Sequence, residues 1–375
     1  MKKIFFGTYF RILCPVVIVL LIHLFASPAY FALTPGYNRC AECCNMQEKI
    51  NRRDHLLQTV SDKYPGHTHM AKTEFRLTPP LLAKILFIKS KPGMYALQVA
   101  FGLMFFYLLT GLALKITGSK LLAFLFALSF GFLYPGSTFV NEMFGFFDAF
   151  AFFFLLVAML DIPIILTALA LLLAFFTDER AVISSGLIIF WWQYLQMQKT
   201  GKNFFTPSPG AWAWAAAITV YALLRWMLVV KFGFKNQLAG TGLGELVYTL
   251  QYAGLAGWQV FEGFWLLIVP ALYYLYRNRQ FALIAIFVGI NLVLFTTALL
   301  VDDMSRSIAY MFPSIIIALY IVAKNFGAGL NFRLLLPAVV LICFICPAYN
   351  IGGKGLYPYS PVYLRAIKKI VTHTE

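Results

Sequence analysis

Eleven long apolar stretches alternate with short polar breaks along most of the chain, at about residues 10–32, 94–114, 121–140, 144–160, 162–176, 182–197, 211–230, 253–275, 281–301, 307–323 and 334–351. Runs of this length predict helices that bury in lipid rather than in a water-soluble core. The fourth to sixth stretches are short and closely spaced, so tilted or re-entrant segments are expected there. The predicted fold class is an all-α, polytopic transmembrane helix bundle of about eleven spans, forming one transmembrane domain over 1–375.

Two segments fall outside this pattern. The first outer loop, 34–92, ends in Pro79-Pro80 followed by Leu81, Leu82, Ile85, Leu86 and Ile88, with Lys84, Lys89 and Lys91 interleaved. Proline is accepted at a helix start, so this segment predicts an amphipathic helix lying on the membrane surface. The tail, 352–375, holds Tyr357-Pro358-Tyr359 and a short basic helix with Arg365, Lys368 and Lys369.

Composition agrees with a membrane setting. Hydrophobic residues make up 61% of the 375 positions, and charged residues 12%, against about 25% in soluble domains. Such a chain cannot hide its apolar surface in water. A disordered chain, a nucleic-acid-binding domain and a secreted disulfide scaffold are excluded. The net charge of +15 reads as topology and contact with anionic lipid.

Charge position gives orientation. Lys2, Lys3 and Arg11 precede the first stretch and predict a cytoplasmic N-terminus. Alternation then puts Lys115 with Lys120, Lys199 with Lys202, Arg277 with Arg279, and Lys324 with Arg333 on the same side. Every acid except Asp161 and Glu262 falls on the opposite, outer face. The first stretch reads as a retained anchor rather than a signal peptide cleaved after Ala29.

Four outer clusters carry candidate chemistry. Asp302 and Asp303 precede Arg306 at helical spacing, and arginine suits bidentate phosphate binding. Asp178 and Glu179 adjoin Arg180 between two short stretches. Asn141 and Glu142 lie near Asp148. Glu74 and Arg76 precede Pro79, with Arg76 aimed at the depth of lipid phosphates. Arg225 falls mid-span and predicts a structural partner in Glu262. Cys40, Cys43 and Cys44, with His55, His67 and His69 in the same loop, leave both a disulfide and a zinc site open. Cys14, Cys343 and Cys346 read as apolar packing. No phosphate-binding loop, nucleophile elbow, zinc-protease or dinucleotide motif is present.

The order of these motifs resembles the GT-C superfamily of integral-membrane glycosyltransferases, in particular divergent bacterial members. Phe75-Arg76-Leu77-Thr78-Pro79-Pro80-Leu81 is similar to their approach to the surface helix. Phe147-Asp148-Ala149-Phe150 is similar to their Asp opening a hydrophobic helix. Thr177-Asp178-Glu179-Arg180-Ala181 is similar to their acidic turn between short spans. Asp302-Asp303-Met304-Ser305-Arg306, with Pro313, is similar to their late Asp-x-x-Arg motif. Their early acidic motif has no close match in Tyr37-Asn38-Arg39-Cys40-Ala41-Glu42.

The resemblance implies transfer of a sugar from a polyprenyl-phosphate donor to an acceptor on the periplasmic face of a bacterial inner membrane. Membrane lipid is then a partner and nucleic acid is not. Glu42, Asp54 and Asp148 are the candidate bases. Arg76 and Arg306 would bind the lipid phosphate with Lys84 as a helper. Asp302, Asp303, Asp178 and Glu179 would orient those arginines or the sugar hydroxyls. A divalent metal is compatible with so many acids, and no spacing specifies one. The alternative class is a transporter or flippase for a lipid-linked or anionic substrate, which predicts polar groups along a path through the membrane. A third reading is a non-catalytic assembly subunit whose acids solvate helix ends.

Overall fold

A computed structural model of the chain describes residues 2–26, 33, 46–59, 74–235, 242–326, 330–346, 348–352 and 355–359. Each apolar stretch contains a helix or a bent pair of helices. The cause is that an apolar backbone in lipid can satisfy its N–H and C=O groups only within its own segment.

Length then separates the helices. Among the described residues, Lys91–Thr117, Pro209–Phe232, Phe281–Leu299 and Met304–Asn325 are long and apolar enough to cross a membrane. Lys120–Phe132 with Tyr134–Asn141 bends by 65°, and Leu243–Gln259 with Glu262–Arg277 bends by 67°. Counting each bent pair as one span gives up to six crossings rather than eleven. Asp148–Ala158 shows why an apolar stretch can fall short of a full crossing. Its 11 residues extend about 16 Å at 1.5 Å per residue, against about 30 Å of hydrocarbon.

The last apolar stretch, expected to run to 351, ends as a helix at Ile345. Cys346 precedes Pro347, and the residue before a proline is biased out of helical geometry. Ala348–Gly352 instead pairs antiparallel with Gly355–Tyr359, so Tyr357-Pro358-Tyr359 is strand rather than loose tail. The remaining tail, with Arg365, Lys368 and Lys369, lies outside the described residues, as does Ala29.

The chain divides into two compact units. The terminal unit comprises 1–28, 102–141 and 243–375. Its centre is a cluster of phenylalanine rings. Phe105 meets Phe139 at 4.9 Å between centroids, and Phe264 meets both Phe126 and Phe130 at 5.4 Å. Such edge-to-face and tilted contacts add to simple area burial. Gly102 allows this packing, because a Cβ there would stand 2.8 Å from Cβ of Phe139.

The loop-bearing unit comprises 29–101 and 142–242. Phe101 packs edge-on against Phe150, Phe153 and Phe154. The short helix Asp148–Ala158 ends where two indoles take over its carbonyls. Trp191 Nε1 donates to Met159 O at 2.8 Å, and Trp192 Nε1 donates to Ala158 O at 2.9 Å. These bonds satisfy carbonyls that a helix end leaves open.

The expected amphipathic helix is present as Thr78–Ile85, with its first turn packed into the unit. Thr78, Pro79, Pro80 and Ala83 are buried, and Leu81 and Leu82 are half-buried. Only its C-terminal end, Lys84 to Phe87, is exposed.

Candidate functional site

In the loop-bearing unit, three short pieces of chain bring charged side chains together. The first is the turn before the helix Asp148–Ala158. Glu142 accepts from the backbone N–H groups of Phe144 at 2.7 Å, Gly145 at 2.8 Å and Phe147 at 3.2 Å. Gly145 has φ +85, and a Cβ there would lie 2.8 Å from Cα of Met46. Lys49 Nζ clamps the same turn by donating to Gly145 O at 2.8 Å. Glu142 is therefore a structural buttress that presents Asp148 at a helix N-terminus, where the dipole favours its charge.

The second piece is Phe176 to Arg180, joining the helix Ile164–Phe175 to Arg180–Thr200. The Asp178 carboxylate is fully buried. Its Oδ1 accepts from Arg180 N at 3.0 Å and from Arg180 Nε at 2.7 Å, and its Oδ2 accepts from Arg180 Nη2 on the same guanidinium edge at 2.7 Å.

The third piece is Glu74 to Thr78. Thr78 is pinned to the turn, with its N–H on Phe176 O at 3.0 Å and its hydroxyl on Leu173 O at 2.8 Å. Glu74 is fully buried and accepts from Lys235 N at 2.9 Å. Arg52 donates to Glu74 O. Burial pushes the Arg52 guanidinium down to about 10, the Glu74 carboxylate opposing that shift, so it stays charged near neutral pH.

Those anchors set the position of Arg76. Its guanidinium meets Asp178 Oδ2 at 2.8 Å and Glu179 Oε2 at 3.5 Å. Arg180 also reaches Asp148 Oδ1 at 3.2 Å. Asp148, Asp178, Glu179, Arg76 and Arg180 thus form one ion-pair network. The two aspartates are fully buried, whereas Glu179 is 43% exposed and the arginines keep 18% and 14%. Buried charges of this kind persist only when paired and hydrogen-bonded.

A third arginine adjoins the network. Arg225 lies with its guanidinium carbon 4.1 Å from the centroid of Phe75, and it donates to the Tyr221 hydroxyl at 2.6 Å. Tyr221 in turn packs edge-on against Phe176, at the start of the acidic turn, with ring centroids 4.9 Å apart. Glu262, the partner expected for Arg225 from its mid-span position, does not fill that role. Among the described residues, Glu262 makes no ion pair; it sits in the terminal unit, buried, at φ +43, in the break between two helices. The spacing of Tyr221 and Arg225, one helical turn apart, was the available signal for their pairing.

The terminal unit holds the late motif. Arg306 donates to Asp303 Oδ2 at 2.7 Å. Ser307 Oγ donates to Asp303 O, and Ser305 Oγ accepts from Ile351 N. Asp302 flanks this pair.

The remaining candidates stand apart from the network. Asp54 is exposed and pairs with its neighbour Arg53 at 3.2 Å. Lys84 is exposed and, among the described residues, joins none of these ion pairs. Glu42, Cys40, Cys43, Cys44, His67 and His69 lie outside the described residues. Cys14, Cys343 and Cys346 are free thiols. Among the described residues, no group of three His, Cys, Asp or Glu is arranged to hold a metal.

No family model, curated protein or solved structure matches this chain.

Proposed function

We propose that this chain is a membrane glycosyltransferase that moves a sugar from a polyprenyl-phosphate donor to an acceptor on the periplasmic face of a bacterial inner membrane. On this reading the N-terminus is cytoplasmic. The eleven helical stretches then include bent and partial crossings. The observation that carries the proposal is the convergence of Arg76 and Arg180 on Asp178, with Glu179 exposed beside Arg76.

That arrangement can hold a departing phosphate and receive a proton. Asp178 and Asp148 fix the two guanidinium groups, so little ordering cost remains when an anion arrives. Three acids and three arginines, counting Arg225, leave the group without excess positive charge. An incoming phosphate must displace an acid, and the 3.5 Å contact of half-exposed Glu179 with Arg76 is the loosest. Displacement leaves Glu179 unpaired beside the reacting centre, where it serves as the base that takes the acceptor hydroxyl proton. Asp148 and Asp178, both fully buried and bound to arginine, act as positioning residues. Asp303 and Arg306 repeat the acid–arginine pairing in the terminal unit.

The transporter reading has one observation in its favour. Glu262 is a buried carboxyl at the break of a bent helix pair, the kind of place where transporters bind ions.

Binding and transfer separate these readings. Polyprenyl phosphate is titrated against the purified chain by native mass spectrometry, and sugar transfer is assayed from polyprenyl-phosphate sugars. Arg76→Lys is expected to weaken carrier binding about tenfold, because the bidentate fork is lost. Glu179→Gln is expected to keep binding and lose transfer. Carrier binding that is indifferent to both Arg76 and Arg180 substitutions overturns the proposal.

A further inference from the structure

The helix Thr78–Ile85 ends in a way that its sequence makes expensive. Phe87 N donates to Lys84 O at 3.2 Å, and Ile88 N donates to Ala83 O at 2.8 Å. This pair of bonds is a Schellman motif, whose left-handed position strongly favours glycine. Here that position is Phe87, at φ +55. A bulky side chain in this conformation is strained. The ring itself gains little from the described fold, since Phe87 is 83% exposed. Ile85 and Leu86, the two residues before it, are exposed as well.

The turn is braced from behind. Arg53 donates to Ile88 O at 2.6 Å, and Gln47 donates to Lys89 O at 2.9 Å. Lys84 and Lys89, both exposed, flank the apolar tip. We infer that Ile85, Leu86 and Phe87 form a rigid wedge that inserts at the headgroup–acyl boundary of an anionic membrane leaflet, with Lys84 and Lys89 on lipid phosphates. Charge selects this partner. Lysines bracketing a short apolar tip match a surface that is anionic at phosphate depth and apolar just beneath it. A deep lipid-facing site would not place two ammonium groups within five residues of sequence. The inference does not depend on the glycosyltransferase reading.

Depth measurements test it. The full chain, cysteine-free apart from Leu86→Cys, carries an environment-sensitive fluorophore at that thiol in vesicles of phosphatidylcholine and phosphatidylglycerol. Spin-labelled lipids should quench it several-fold more from a shallow acyl position than from a deep one, and aqueous iodide should quench it little. Lys84→Gln with Lys89→Gln should reduce the shallow quenching. Access to iodide without lipid quenching overturns the inference, as does stronger quenching from the deep position. Shielding from iodide and lipid alike also overturns it, because a protein partner then covers the tip.

The unaltered chain gives a second reading. In phosphatidylglycerol nanodiscs, hydroxyl radicals should oxidise Phe87 far more slowly than in the denatured chain, although the fold itself leaves the ring open. Oxidation at the denatured rate overturns the inference. Phe87→Gly should raise the unfolding midpoint by relieving the turn, while lowering shallow quenching at position 86. Unchanged quenching in that variant refutes insertion by Phe87.

Discussion

Arg76 and Asp178 meet at 2.8 Å although four apolar stretches separate them in sequence. The contact is set by backbone, because Thr78 hangs from Phe176 O and Leu173 O. Asp178 in turn accepts from Arg180 along both of its oxygens. Removing Asp178 would leave two guanidinium groups facing each other without their shared anion. Asp178→Ala is therefore expected to destabilise the loop-bearing unit by about 3–5 kcal/mol. Denaturant unfolding in micelles measures this, and a loss below about 1 kcal/mol would show that solvent already screens the network.

Glu179 should behave in the opposite way. Its side chain is 43% exposed and its contact with Arg76 is long. Glu179→Gln is expected to change stability by less than about 0.5 kcal/mol, as for an ordinary surface substitution. Transfer activity should fall by two or more orders of magnitude, the usual scale of a lost general base. Paired unfolding and transfer assays on the same preparation check both halves.

Glu142 reads as chemistry in the sequence and as architecture in the fold. Its carboxylate takes three backbone N–H groups of the turn 144–147. Glu142→Ala leaves those donors unmatched, at about 1–3 kcal/mol for each one that stays buried. Hydrogen exchange at Phe144, Gly145 and Phe147 should accelerate before that of the helix Asp148–Ala158.

Arg225 gives a prediction about geometry rather than charge. Its flat guanidinium lies over Phe75 and bonds Tyr221. Arg225→Lys keeps the charge and loses the stacked plane, so a cost of about 1–2 kcal/mol is expected. A double-mutant cycle with Phe75→Leu isolates the contact, and additive effects would remove it from the account.

In the terminal unit, Asp303 and Arg306 should couple. Their 2.7 Å contact buries most of the guanidinium and leaves the carboxylate 31% exposed. The cycle Asp303→Asn with Arg306→Ala is expected to return about 0.5–3 kcal/mol of interaction energy. The proposed enzyme should also lose transfer in the double variant, whereas a non-catalytic assembly subunit would tolerate it.

The sequence by itself determined where the long apolar helices run, though not every one of their ends. An apolar run in lipid has only one way to satisfy its backbone, so residue type along the chain is enough to find it. Two arginine stations were also legible, because Asp178 adjoins Arg180 and Asp303 sits one turn before Arg306. Only the tertiary structure decided that the helix pairs meeting near Leu133 and Val260 bend by 65° and 67°. It also decided that Asp148 and Asp178 are buried while Glu179 is not, that Glu142 holds a turn, and that Arg225 serves Phe75 and Tyr221. Those outcomes depend on which distant segments pack together. The free energy of a charge is set by the partners and solvent around it, and neither is written in its neighbours along the chain.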